Sequence, residues 1–150
     1  MREIKFRSKA KMSIEELDDL YLEHENGWVY GHLVMYGKTP YIVGDFIEVD
    51  SEYTVNEFWV PVYPESVGQF TGLPDKNGKE IYEGDICETV TYSGKPFGTI
   101  DVVKFSGGAF KLTDIEDALL PIPLDDSDIQ SVEVIGNIFE HPHLIGGKHG

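Results

Sequence analysis

Apolar and polar residues alternate along much of this chain, with the two-residue period of a half-buried strand. Glu3-Ile4-Lys5-Phe6-Arg7 alternates strictly, predicting a first strand with Ile4 and Phe6 inward and its bases on the other face. Trp28 to Tyr36 and Tyr41 to Val43 flank Gly37-Lys38-Thr39-Pro40, the pattern of a hairpin. Asp45 to Tyr53 carries Phe46, Ile47 and Val49, a further short strand. Phe58 to Pro64 is aromatic and is interrupted by Pro61 and Pro64. Proline cannot donate to a ladder, so this stretch is predicted to be an extended edge segment. Asp85 to Tyr92, Thr99 to Phe105 and Ala109 to Leu112 read as three more strands. Turns at Gly94, Pro96 and Gly98 and at Ser106-Gly107-Gly108 separate them. Val132 to Phe139 reads as a last strand.

Only Ser13 to Glu23 has a helical period. Ser13 with Glu16 three positions on forms a capping box. Ile14, Leu17, Leu20 and Tyr21 share a face, acids crowd the first turns, and Asn26-Gly27 ends the segment. Docking of that face on the chain's own core is favoured over a role in recruiting a partner.

Gln69 to Cys87 is the stretch that organises the rest. It contains Thr71-Gly72, Leu73-Pro74-Asp75, Asn77-Gly78 and Glu83-Gly84, four turn signals in close succession. Asn77-Gly78 is the pair best suited to a type I′ turn. Ile81 and Tyr82 are the expected core anchors. A Gly-Asp entering a strand, followed by a glycine-rich turn and two short strands, predicts a curled meander. The fold class is therefore mainly β, α+β by loose counting: a small SH3-like or barrel-like antiparallel sheet with one short helix.

Three blocks carry a family resemblance: residues 1–7, Gln69 to Ile86, and Val132 to Pro142, supported by Gly27-Trp28-Val29-Tyr30-Gly31. In this order, spanning nearly the whole chain, they resemble the YopX family of small proteins encoded by phages and prophages of mainly Gram-positive bacteria. The resemblance implies a mostly β protein of phage origin and carries no catalytic residues with it. It also implies that residues 13–24 are a helical insertion; the length suits a single YopX-like domain over residues 1–150, and the glycine-rich residues 146–150 are expected to form a flexible tail.

Composition bounds the rest. A chain of 150 residues with 41% apolar content can bury a sizeable core without a metal or disulfide. Cys87 is the single cysteine, so no internal disulfide forms, and a bacterial cytoplasmic setting is the natural reading. No run of about 18 apolar residues is present, and the charged start is not a secretory signal. The net charge of −15 disfavours duplex DNA. Five of the twelve bases lie in the first eleven residues, however.

Two interaction readings follow. The turn-rich centre of an acidic protein points to a protein partner from host or phage, with Asp75, Lys76, Asn77, Tyr82, Glu83 and Asp85 as candidate contacts. A small homo-oligomer is compatible with short open sheets. The alternative is a nucleic-acid module using Arg2, Lys5 and Arg7 with nearby aromatics. Charges that guard an edge strand, and aromatics that pack a core, explain the same residues without nucleic acid.

Catalytic readings are weaker. Asp75-Lys76-Asn77-Gly78-Lys79 opens like a calcium loop, but the sixth and twelfth positions are Glu80 and Ile86 where glycine and glutamate are needed. His141, His143 and His149 lie on a glycine-rich tail that would hold a metal poorly. Cys87 has no base beside it in sequence and reads as a small core residue. For Glu83 and Asp85, one capping a turn and one in solvent is preferred over an acid–base pair. No phosphate-binding glycine loop, hydrolase elbow or metalloprotease helix is present, so neither a cofactor nor an enzymatic activity is expected.

Overall fold

The computed structural model describes residues 3–48, 54–94, 97–114 and 121–146. The protein is mostly β, and its strands are antiparallel. Its packing divides into two compact units, Met1–Phe70 and Thr71–Gly150.

The first unit contains β1 (Phe6–Lys9), α1 (Ile14–Asp19), β2 (Trp28–Tyr36), β3 (Thr39–Val43), β4 (Phe46–Glu48), β5 (Thr54–Asn56) and β6 (Trp59–Pro61). A 3-10 turn at Pro64–Ser66 leads into β7 (Gly68–Pro74), within which the unit boundary falls. The sheet runs in the order β6-β3-β2-β1-β7. Gly37 and Lys38 join β2 to β3, with positive φ at Gly37 alone, as a hairpin turn with glycine at its first central position requires. β6 comes last in the sheet order, but the segment predicted as an edge is met on its outer side as well: Lys11 N donates to Pro61 O, Tyr63 N donates to Lys9 O, and Ala10 bridges Val62. Trp59 lies half-exposed there, edge-on to Tyr41 at 6.1 Å. Of the strand expected within Asp45 to Tyr53, β4 is observed; it pairs with β5, which was not expected, and residues 49–53 lie outside the described residues.

Two expectations for this unit change. β1 is central, pairing β2 through Phe6↔Gly31 to Lys9↔Trp28 and β7 through Phe6↔Gln69 and Arg7↔Gly68. Its charges therefore do not guard an edge, and Ile4 is exposed. The helix keeps its capping box: Glu16 N donates to Ser13 Oγ, and Ser13 N donates to Glu16 Oε1, both at 3.1 Å. It stops at Asp19, however. Leu17 alone of the apolar stripe is buried, in a core with Ala10, Val29, Ile42, Val60 and Val62. Ile14, at the first helical position, is exposed; Leu20 and Tyr21 are exposed where the chain turns, with φ +56° at Tyr21, and Leu22 packs on the core instead.

The second unit contains β8 (Glu80–Tyr82), β9 (Asp85–Thr91), β10 (Thr99–Ser106), β11 (Ala109–Asp114), β12 (Ile122–Pro123), β13 (Ile129–Asn137) and α2 (His143–Gly146). Its main sheet runs β12-β11-β10-β9-β13, with β8 beside the end of β7. Gly107 and Gly108, both at positive φ, close the β10–β11 hairpin in the manner of a type I′ turn. Alternation places Cys87, Val103, Phe110, Leu112 and Val132 in one core with Ile81 and Leu124. The barrel is not realised. Among the described residues the sheet stays open, ending at β12, a two-residue strand containing Pro123, and at β13. A second short helix, α2, ends at Gly146, the first residue of the expected tail; residues 147–150, like 95–96 and 115–120 with Leu119 and Leu120, lie outside the described residues.

Candidate functional site

The turn at 75–79 is built on one carboxylate. Asp75 N donates to Lys79 O at 2.7 Å, and Gly78 N donates back to Asp75 O at 3.0 Å. Asp75 Oδ1 accepts from Asn77 N and Lys79 N at 2.8 and 2.9 Å, and Oδ2 accepts from Val134 N at 3.0 Å. Lys76 N completes the join to β13 by donating to Val132 O at 2.9 Å. Burial pushes the Asp75 carboxyl up, but the amides of Val134, Lys79 and Asn77, with the Lys79 charge, outweigh it and hold its pKa below the ordinary value. Positive φ falls at Gly78 alone, at +83°, so the Asn-Gly pair does not form the type I′ turn expected of it. A glycine following a type I turn meets the same need with one left-handed residue.

This geometry separates the six sequence candidates. Asp75 (7% exposed), Tyr82 (2%) and Asp85 (0%) are interior residues. Tyr82 Oη donates to Glu80 at 2.9 Å, and Tyr82 N donates to Asp85 Oδ2 at 2.8 Å. Asp85 therefore caps the turn, Glu83 stays half-buried, and the two do not form an acid–base pair. Gly84, at φ +91°, donates to Val103 O and accepts from Ile138 N, both at 2.9 Å. Lys76 and Asn77 remain on the surface. Lys76 Nζ lies 3.2 Å from Glu133, whose other oxygen is 3.5 Å from Asn77 Nδ2.

Beside the turn lies a groove of about 350 Å3, with Leu73, Ile81, Leu124, Ile129 and Val132 along it and Asp125 and Asp126 at its rim. The 75–79 turn also covers part of the outer edge of β13, which would otherwise offer bare backbone groups.

The basic candidates of the first strand are engaged at home. The Arg7 guanidinium lies 5.0 Å from the Trp28 ring centroid, and the residue as a whole is buried. Lys9 Nζ lies 5.8 Å from the same ring and donates to Asn26 O at 2.6 Å. Lys5 stacks on Phe70 at 5.2 Å, with Glu3 at 3.9 Å. Lys5 also lines a cleft of about 530 Å3 whose carboxylates are Glu3, Glu23, Glu25, Asp45 and Glu57. Such a cleft repels phosphate. Arg2 lies outside the described residues.

The other candidates are structural. His141 Nδ1 accepts from Asn137 N at 3.1 Å, and its ring meets His143 edge-on at 5.9 Å. His149 lies outside the described residues. Among the described residues no three His, Cys, Asp or Glu side chains are grouped to hold a metal. Cys87 is buried in the core.

Sequence reasoning missed two features. One is the reach of Asp75 to β13, for which an aspartate before Lys-Asn-Gly gives no signal. The other is Asp101, directly opposite Asp114 on the core face of β10 and β11, with Thr99 Oγ1 donating to it at 2.8 Å. Burial pushes the Asp101 carboxyl up, the hydroxyls of Thr89 and Thr99 pull the other way, and Asp114 adds to the rise. Here a signal existed: Asp101 alternates with Val103, and Leu112 with Asp114.

The family model for YopX protein matches residues 5–146. The chain belongs to the YopX family. The solved structure of protein yopX from Bacillus subtilis is similar over 97% of each chain, at 15% identity and a TM-score of 0.54. Protein EF1440 from Enterococcus faecalis is similar over 97% of this chain and 99% of its own, at 21% identity and a TM-score of 0.50. At these identities the two structures establish the YopX fold alone. No curated protein matches the chain.

Proposed function

We propose that this YopX-family chain is a phage- or prophage-encoded accessory protein that acts in the host cytoplasm by binding another protein, from host or phage, rather than by catalysis. The observation that carries this reading is the Asp75 carboxylate. It commits both oxygens to backbone amides and so holds Lys76 and Asn77 outward on a fixed backbone. A surface ordered before it meets its partner loses less entropy on binding. No helix among the described residues is long and apolar enough to cross a membrane.

The nucleic-acid reading loses support, because Lys5 and Arg7 are stacked on rings and Lys5 lines an acidic cleft. A small homo-oligomer remains compatible with the open sheet edges.

The test is capture on immobilised protein from nuclease-treated lysate of a host carrying the phage. The control combines Lys76→Ser, Asn77→Ala and Lys79→Ser, all at exposed positions. Substitution of Asp85 would be a poor control, since it uncaps a buried turn. A stoichiometric protein held by the natural chain and lost in the triple variant is the expected outcome. Identical retention by both, or none by either, would overturn the reading.

A further inference from the structure

We propose that the groove beside the 75–79 turn docks an extended peptide segment that sets an apolar side chain next to arginine or lysine. This rests on the reading of the chain as a protein-binding module. The groove, about 350 Å3, falls within the size range of pockets that bury small ligands. Leu73 and Ile129 expose side chain along it, over Ile81, Leu124 and Val132 buried beneath, so its floor offers a partly apolar seat for a hydrophobic anchor.

Charge selects what flanks that anchor. One wall is the turn leading into β13, ordered by Asp126 N to Pro123 O at 3.0 Å, Ile129 N to Asp126 O at 3.1 Å and Asp128 N to Asp126 Oδ1 at 2.8 Å. It presents Asp125 and Asp126. Among the described residues no lysine, arginine or histidine pairs with either carboxylate. On the facing wall Asp75 is saturated by amides, and Lys76 is drawn to Glu133. The rim thus keeps two uncompensated negative charges beside an apolar floor. An acidic segment is repelled, and so is a second copy of a chain with net charge −15. The sheet ends at β13, and the 75–79 turn covers its outer edge from Val132 onward, which leaves room for an extended backbone along Ile129 to Ser131. The register shift between Ile129 and Ser131 disrupts a regular ladder there, so recognition falls to side chains.

The test uses three capped pentapeptides, Arg-Leu-Arg-Leu-Arg, Arg-Ser-Arg-Ser-Arg and Glu-Leu-Glu-Leu-Glu, titrated into isotope-labelled protein and read by amide shifts. The arginine–leucine peptide is expected to bind saturably, more weakly as salt rises, with shifts confined to Leu73 and residues 124–132. The arginine–serine peptide should bind at least about tenfold more weakly, and the acidic peptide not at all. Asp125→Asn with Asp126→Asn, and separately Leu73→Ser, should each weaken the first peptide about tenfold or more. The side-chain amide oxygen introduced by Asp126→Asn can still accept from Asp128 N, so that wall stays folded, and unchanged amide spectra elsewhere verify it.

No saturable binding, or equal binding of both arginine peptides with shifts spread over the acidic surface, would overturn the proposal. A sedimentation change in the double variant would also overturn it, by assigning the groove to a second copy. A captured partner that needs Lys76, Asn77 and Lys79 but ignores Leu73, Asp125 and Asp126 would overturn the groove and leave the protein-binding reading standing.

Discussion

β1 and the 75–79 turn each bury one charged side chain, and they resolve the cost in opposite ways. Arg7 lies over an aromatic ring, and its neighbours Lys5 and Lys9 are stacked or hydrogen-bonded as well. Asp75 is met by backbone amides alone, and its neighbours Lys76 and Asn77 stay outside. A ring absorbs a cation and takes the strand's charge out of circulation. Amides absorb an anion and fix a loop that still presents side chains. The same burial thus silences one candidate surface and displays the other.

The most severe way to break the comparison is to remove the ring. Trp28→Ala should cost about 4 kcal/mol, typical of truncating a buried tryptophan. Chemical denaturation checks this. A double-mutant cycle of Trp28→Leu with Arg7→Met isolates the cation–ring share, expected at about 1 kcal/mol. Zero coupling would mean that the Trp28 ring does not hold Arg7.

Asp75→Ala comes next, at about 3 kcal/mol, because three amides lose a charged acceptor, one of them on β13. Hydrogen exchange should quicken at Asn77, Lys79 and Val134 together. Faster exchange at the turn with Val134 unchanged would show that the turn and β13 are not coupled through this side chain.

These two sites also show how much was legible beforehand. Strands β2, β3, β9, β10 and β11 follow from alternation, and their hairpin turns from glycine. The family was legible from its three blocks. That one of Glu83 and Asp85 caps the turn was legible from the turn signal between them; which one does so was not, and it is Asp85. The place of β1 in the sheet was not legible, because alternation reports which face is buried and says nothing about which strands lie alongside. The helix was overextended because Leu20 and Tyr21 fit the period, while the left-handed residue that ends it is a tyrosine, which carries no turn signal. The barrel failed for a related reason: closure depends on strand partners far apart in sequence. Of the candidate surface, the turn was legible and its partner strand 59 residues away was not.

A pH series sharpens the role of the carboxylates, with a smaller effect than either truncation. Asp101 and Asp75 titrate with opposite sign. Asp101 is raised when folded, so the stabilisation from its proton is fully present below 3.8 and is lost as pH rises through the raised value. Asp75 is lowered, so its contribution is present above 3.8 and is lost as pH falls through the lowered value. Acidification from neutral pH should therefore gain stability through Asp101 before losing it through Asp75. Asp101→Asn should be more stable than the natural chain at neutral pH and should lack the gain. Asp75→Asn should show a shallower acid loss. Denaturation midpoints across the range check both.

The smallest effect tests the display side of the comparison. Lys76 and Glu133 form a surface pair at 3.2 Å, with both side chains more than a third exposed. Such pairs contribute little, because water and salt screen them and two long side chains must be ordered. Lys76→Gln should therefore change stability by less than about 0.5 kcal/mol, while Asp75→Ala one residue earlier costs several times more. The Lys76 amide still donates to Val132 O in that variant, so the turn keeps its seat on β13. A loss comparable to that of Asp75→Ala would mean that the ion pair, and not the carboxylate, holds the turn. Lys76 would then be a structural residue like Arg7, and the contrast between a quenched surface and a displayed one would disappear.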